Sequence, residues 1–235
     1  MVDFTKRSSE VEIMDTFSGT TNELETILQD INRVNRLLGG YSITLDAVFK
    51  LISSNLKESY TILDMGCAEG TMLRKLADEA RNRNIKLNLI GIDFNEQGLQ
   101  LAKQHSSDYP EVSYLNTDIL KTDFSDWNID VVMTTLTLHH FTDEGVVQFV
   151  NRFVSIAKLG VVINDLQRSP IAYYLFKAFS FFFIKTEIGK KDGLLSIRRA
   201  FKKEELQHFA HQVTNASHHI KWKWAFRYVW VLKKK

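Results

Sequence analysis

The chain has 235 residues, 44% hydrophobic and 25% charged, with a formal net charge of +2; this is the make-up of a globular protein of one large domain, or one domain with a cap. So small a charge excludes the basic footprint of a nucleic-acid binder, and the closing Lys233-Lys234-Lys235 reads as a solvated tail. Two prolines and no low-complexity tract argue against long disordered linkers, while a single cysteine, Cys67, precludes an intramolecular disulfide and suits a reducing compartment.

Residues 1–59 precede the first core strand and are expected to form a helical cap. The start of the chain lacks the apolar core of a signal peptide, which points to a cytoplasmic protein. Leu24, Ile27, Leu28, Ile31, Val34 and Leu37 recur at helical spacing from residue 22 onward, and Gly39-Gly40 ends that helix. A second helix is expected from Ser42 or Thr44 to about Leu56, and residues 11–15 form a short helix or a flap. These helices either cover one sheet edge or also close over a ligand, in which case Asn35 and Arg36 are placed to reach a carboxylate.

The stretch 60–71 organises the rest. An apolar strand ends at Asp64, a small-residue turn follows over Gly66, Cys67, Ala68, Glu69 and Gly70, and Met72, Leu73, Leu76 and Ala77 then repeat at helical spacing. Glycine lets the backbone bend sharply and a ligand approach closely, and the helix start offers unpaired N–H groups. The spacing is neither G-x-G-x-x-G, since Ala68 stands between Gly66 and Gly70, nor a P-loop, since no lysine follows Gly70. The next strand, 87–93, ends in Asp93, one βα unit after Asp64, where a carboxylate can accept both ribose hydroxyls of an adenosine. Phe94 beside it is placed to cover an adenine face.

The pattern D-x-G-x-A-x-G over residues 64–70 resembles the first motif of class I S-adenosylmethionine (SAM)-dependent methyltransferases, usually D-x-G-x-G-x-G, with Ala68 departing from the middle glycine. Residues 130–140, Asp-x-Val followed by Leu138-His139-His140, resemble the signature of small-molecule members such as the quinone-biosynthesis methyltransferases. The resemblance implies that Asp118, after the strand 112–116, binds the adenine amino group, and that Ile119 gives its backbone N–H to a ring nitrogen. It also implies that the strand end at Thr134 and Thr135 contacts the methionine moiety. His139 and His140 are candidate general bases, His140 ahead, against a plain packing role, because imidazole titrates near neutral pH.

After a helix over 143–157 comes the strand 160–166; Asp165 and Arg168 at its end either bind a polar group of the acceptor or pair with each other. Residues 167–200 form an aromatic-rich insertion over the pocket, with Tyr173 as a candidate acceptor contact. The run 171–184 is too short to span a membrane. Residues 190–193 read as a loop, and Arg198 and Arg199 after it are candidates for an anionic group of the acceptor. A helix over 202–212 and two β-rich runs, 217–223 and 225–232, close the chain.

The fold expected is therefore α/β, a doubly wound seven-stranded mostly parallel sheet with helical caps: 1–59 as cap, 60–235 as SAM-binding core, and a lid at about 167–200. The expected function is methyl transfer from SAM, leaving S-adenosylhomocysteine (SAH), to a small apolar acceptor, phenolic or quinone-like, on oxygen ahead of carbon. No metal, nucleic acid or stable membrane insertion is expected, and a homo-oligomer is compatible with the chain. The rivals are a non-catalytic SAM-binding regulatory or structural protein, a protein methyltransferase, and a nicotinamide enzyme, which the glycine spacing opposes. The N/D-P-P-Y/F loop of nucleic-acid amino methyltransferases is missing after residue 133.

Overall fold

Residues 2–235 are described by the computed structural model. Five strands run parallel: β1 (Ser59–Met65), β2 (Lys86–Ile92), β3 (Val112–Leu115), β4 (Val131–Thr135) and β5 (Gly160–Leu166). β6 (Ala216–Lys223) and β7 (Arg227–Lys234) form a hairpin whose second strand inserts antiparallel beside β5, giving the order β3-β2-β1-β4-β5-β7-β6. The chain thus winds outward from β1 through β2 to β3, then crosses back to β4. That reversal leaves a crevice beyond the carboxyl ends of β1 and β4, where open α/β sheets bind ligands.

The central strands are apolar because both sheet faces are covered. α1 (Thr21–Leu37), α2 (Gly40–Ile52), α3 (Thr71–Asn82) and α4 (Glu96–His105) lie on one side, with Phe49, Ile52, Leu73 and Leu76 packed on Ile62, Leu89 and Val131. α5 (Asp143–Ile156) and α8 (Lys203–His211) cover the other, where Phe153, Phe209 and Trp230 are buried. Each such side chain contributes roughly 1.5–3 kcal/mol by burial. α1 starts at a capping box between Thr20 and Glu23 and packs Leu24 and Leu28 against Leu101 of α4. α2 starts earlier than its apolar spacing suggested, because Gly39 (φ 69°) turns the chain directly from one helix into the next, and it ends at Ile52 rather than near Leu56. Its side chains enter the same core as β1 and β4. The segment 11–15 contains a short 3₁₀ turn, Ile13–Thr16.

The insertion is two helices, α6 (Pro170–Phe183) and α7 (Glu187–Arg199). Residues 190–193 are helical, correcting their reading as a loop: Thr186 caps α7 by accepting the Gly189 N–H. Gly193 lies where the Phe176 ring crosses the helix closely, and Asp192 accepts the Ile13 and Met14 N–H groups at 2.9 Å each. The glycine therefore serves packing rather than a break. α6 directs Phe176 and Phe179 inward and leaves Tyr174, Phe181 and Phe182 exposed. Among the described residues no helix is long and apolar enough to cross a membrane.

Candidate active site

The turn after β1 is held by its own backbone. Gly66 and Cys67 donate to the Ile92 carbonyl at 2.9 and 3.1 Å, and Ala68 donates to Asp93 Oδ2 at 2.8 Å. Asp93 Oδ1 takes the Asn95 N–H at 2.9 Å, so this carboxylate fastens the loop as well as facing the crevice. Gly66 and Gly70 both have positive φ, 75° and 76°. A Cβ on Gly66 would lie 2.5 Å from Thr137 Oγ1, and one on Gly70 would run into the Tyr114 ring. Ala68 adopts the same left-handed region (φ 48°), which costs an L-residue about 1 kcal/mol.

Asp64 lies beneath this turn, 2% exposed, with Oδ1 unpartnered; burial first, and Asp93 second, push its carboxyl well above the usual range. The Cys67 thiol is also buried, and burial raises it far above an ordinary cysteine. Its side chain is therefore inert packing, leaving only its backbone to serve a ligand.

Beyond the strand ends opens a cavity of about 840 Å³, lined among others by Gly66, Asp93, Phe94, Ile119, Leu136 and Thr137. Other expected cofactor residues sit differently. Thr134 is buried and gives its hydroxyl to the Met65 carbonyl at 2.8 Å, while Thr135 is within 3.0 Å of the Thr44 hydroxyl. The chain end of β4 meets the cavity one and two residues later, at Leu136 (φ 58°) and Thr137. Asp118 is spent on the Leu120 N–H at 2.9 Å and on Lys121 at 3.3 Å; its neighbours Thr117 and Ile119 line the cavity instead. A carboxylate at the β2 end, an exposed ring beside it (Phe94, 65% exposed), an apolar wall at Ile119 and an orphaned carboxylate oxygen under the turn fit an adenosine with a charged tail.

The two histidines separate by burial. His139 is 2% exposed; its Nδ1 lies 2.7 Å from Asp165 Oδ1, and its Nε2 faces Glu12 Oε1 at 3.5 Å. Burial alone would lower its pKa, but Asp165 and then Glu12 outweigh it and raise the ring to about 9. With that shift it stands as an imidazolium between two carboxylates at neutral pH. His140 is partly exposed, its Nδ1 lies 2.8 Å from Asp15 Oδ1, and it lines both the cofactor-side cavity and a second one. Burial opposes ionisation of Asp15, yet His140 and Arg199 keep its carboxyl below the usual range.

That second cavity, about 480 Å³, lies between α1, α6, α7 and the hairpin and is almost wholly apolar, with Ile27, Leu28, Phe176 and Phe179 in its wall. The acceptor residues expected from the sequence fall elsewhere. Arg168 is buried among the Phe4, Thr5 and Ala200 carbonyls and pairs with Glu205. Arg199 spends its guanidinium on the Glu10, His139 and His140 carbonyls and on Asp15. Tyr173 packs edge-on against Phe4 at 5.4 Å, and Asp165 orients His139 rather than pairing with Arg168. Asn35 does reach the cavity, whereas Glu12, Asp15 and Arg227 escaped the sequence reading. Only the proximity of residues 12 and 15 to the histidines reveals the first two.

Comparison with known proteins agrees with this geometry. Residues 62–160 match a family model described as methyltransferase domain. Two curated relatives are both named carboxy-S-adenosyl-L-methionine synthase. The one from Nautilia profundicola is 30% identical over 104 residues, 44% of this chain and 42% of the relative. That from Haemophilus ducreyi is 26% identical over 148 residues, 63% of this chain and 56% of the relative. The chain therefore spans about half the length of the curated relatives it matches. Among solved structures, the plantazolicin methyltransferase BpumL in complex with SAH superposes with a TM-score of 0.67 at 14% identity, covering 87% of this chain and 88% of that one, which is a likeness of fold. The family match falls on the turn, the strand ends and the histidine pair, so residues 62–160 carry a methyltransferase domain.

Proposed function

We propose that the chain is an enzyme that transfers a methyl group from SAM to a small apolar acceptor, phenolic or quinone-like, on oxygen in preference to carbon. The observation that carries this reading is the meeting of the two cavities at Met14, Leu136 and His140. One is the more polar and sized for a nucleoside; the other is mainly apolar and sized for a ring system. SAM when bound supplies an already activated sulfonium methyl, so the chain mainly aligns the reactants and keeps water out.

In this reading Asp93 accepts from the ribose hydroxyls, Phe94 covers the adenine, and the Ile119 N–H with the Leu136–Thr137 backbone holds the remainder. His140 Nε2 takes the acceptor's hydroxyl proton as the new oxygen–carbon bond forms and the carbon–sulfur pair stays with sulfur. The Asp15 contact at Nδ1 holds that ring in place. His139, Asp165 and Glu12 form the rigid bed beneath it.

The name of the curated relatives favours a second reading, in which the cofactor itself is carboxylated. The apolar cavity beside the cofactor-side one supports the first.

Calorimetry of the purified protein with SAM, SAH and NADH tests the cofactor. SAM and SAH are expected to bind, Asp93→Ala to weaken both by about tenfold or more, and NADH not to bind; binding of NADH alone would sink the reading. Mass spectrometry after incubation with SAM and a panel of phenols then separates the activities. A methylated phenol with matching SAH supports methyl transfer, a cofactor heavier by a carboxyl group, formed only in a parallel sample that also holds a carboxylic acid able to give up its carboxyl group, supports the second reading, and cofactor binding without product in either sample supports a non-catalytic protein.

A further inference from the structure

The wall of the apolar cavity carries the ionisable residues Glu12, Asp30, His139, His140, Asp192 and Arg227, of which Asp30 and Asp192 are satisfied by backbone N–H groups. Arg227, the first residue of β7, is 1% exposed and its side chain borders that cavity. Its Nη2 donates to Asn35 Oδ1 at 2.8 Å, but Nε and Nη1 are buried with no partner. The nearby carboxylate, Asp165, is already committed to the His139 ring, the His139 N–H and the Leu166 N–H. Burial lowers the Arg227 pKa to about 10, so the group still carries its charge at neutral pH.

The other two buried arginines are treated quite differently. Every side-chain nitrogen of Arg168 and of Arg199 finds an oxygen acceptor. A buried guanidinium left with a single neutral hydrogen bond is costly, and methionine or leucine would fill the same volume without that cost. Arg227 is part of the wall of a space large enough for a ligand, and guanidinium is well matched to carboxylate and phenolate oxygens.

We propose that Arg227 anchors an anionic oxygen of the acceptor, so that the second cavity takes an apolar acid: a carboxylate or phenolate at Arg227, with its hydrophobic body against α1 and α6. Asn35 holds the guanidinium in place, and the apolar wall strengthens the charge pairing by excluding water. The inference rests on the methyltransferase reading only for the word acceptor; the anion site itself stands on the cavity and the unpartnered donors.

The test uses a matched pair of fluorescent probes on the full chain loaded with SAH: anilinonaphthalene sulfonate, and phenylnaphthylamine, the same ring system without the sulfonate. The wild type is expected to bind the anion about tenfold or more tighter than the neutral probe. Arg227→Met should abolish that preference while leaving the neutral probe unchanged, and Arg227→Lys should restore part of it. Equal affinity of the wild type for the two probes, loss of both probes alike in Arg227→Met, or no binding of either probe would overturn the proposal. SAH affinity is read in the same samples: retained SAH binding with no anion preference refutes Arg227 alone, whereas loss of SAH binding by the wild type refutes the methyltransferase reading.

Discussion

The His139 cluster makes a quantitative prediction about stability and pH. Its ring is raised to about 9 in the folded chain from an ordinary 6.5, a difference worth on the order of 3 kcal/mol. Because the folded value is the higher one, this stabilisation is fully present below pH 6.5 and is lost as pH rises through about 9. Asp165 and Glu12 act in the opposite sense: burial penalises both, His139 more than offsets that penalty, and their lowered values stabilise the fold above the ordinary carboxylate range. The cluster therefore stabilises most between the carboxylate range and neutrality. Urea unfolding at a series of pH values from slightly acid to alkaline should show a decline of a few kcal/mol across this window, and His139→Gln should flatten much of it. That variant leaves two buried carboxylates without their cation and should itself lose about 3–5 kcal/mol near neutrality. Should it fail to fold, direct titration of the His139 ring in the wild type by NMR provides the same information. A midpoint at or below 6.5, or a wild-type stability flat across the window, would refute the locked imidazolium.

Three further expectations follow from the turn and the histidine pair. Gly70→Ala places a Cβ at φ 76° and against Tyr114; it should cost about 1–2 kcal/mol for the backbone and a further 1–3 kcal/mol for overpacking, seen as a lower Tm and weaker SAH binding. Ala68→Gly relieves the strain at φ 48° and should leave stability unchanged or raise it by up to about 1 kcal/mol; a marked destabilisation would contradict the left-handed assignment. His140→Asn should lower kcat for a phenolic acceptor on the order of a hundredfold while SAH affinity stays within about twofold, and the deficit should shrink as the acceptor's own hydroxyl becomes more acidic. A deficit independent of acceptor acidity would point to positioning instead of proton removal.

The order of elements was legible in the sequence because each carries its own local signal. Continuous and alternating apolar runs marked the strands, helical spacing marked α1 and α3, and the small residues of 66–70 marked the turn, so Asp93 and Gly66 could be placed at one crevice from their position in the βα repeat. Local signals also misled. The glycine and charges of 190–193 look like a loop until Phe176 is seen to need the space beside Gly193, and Arg168 and Arg199 look available until their buried acceptors are known. The site's long-range partners have no local trace. Glu12 and Asp15 meet His139 and His140 only because the N-terminal segment folds back across α7, and Arg227 borders the apolar cavity only because β7 inserts beside β5 and brings it up to Asn35. The sequence by itself determined which segments are strands and helices, since those signals are local, and the winding of the sheet followed from the motif resemblance rather than from any one element. Which charges are paired, which is left over and what the second cavity can hold depend on desolvation by segments more than a hundred residues apart, and only the closed tertiary structure decides them.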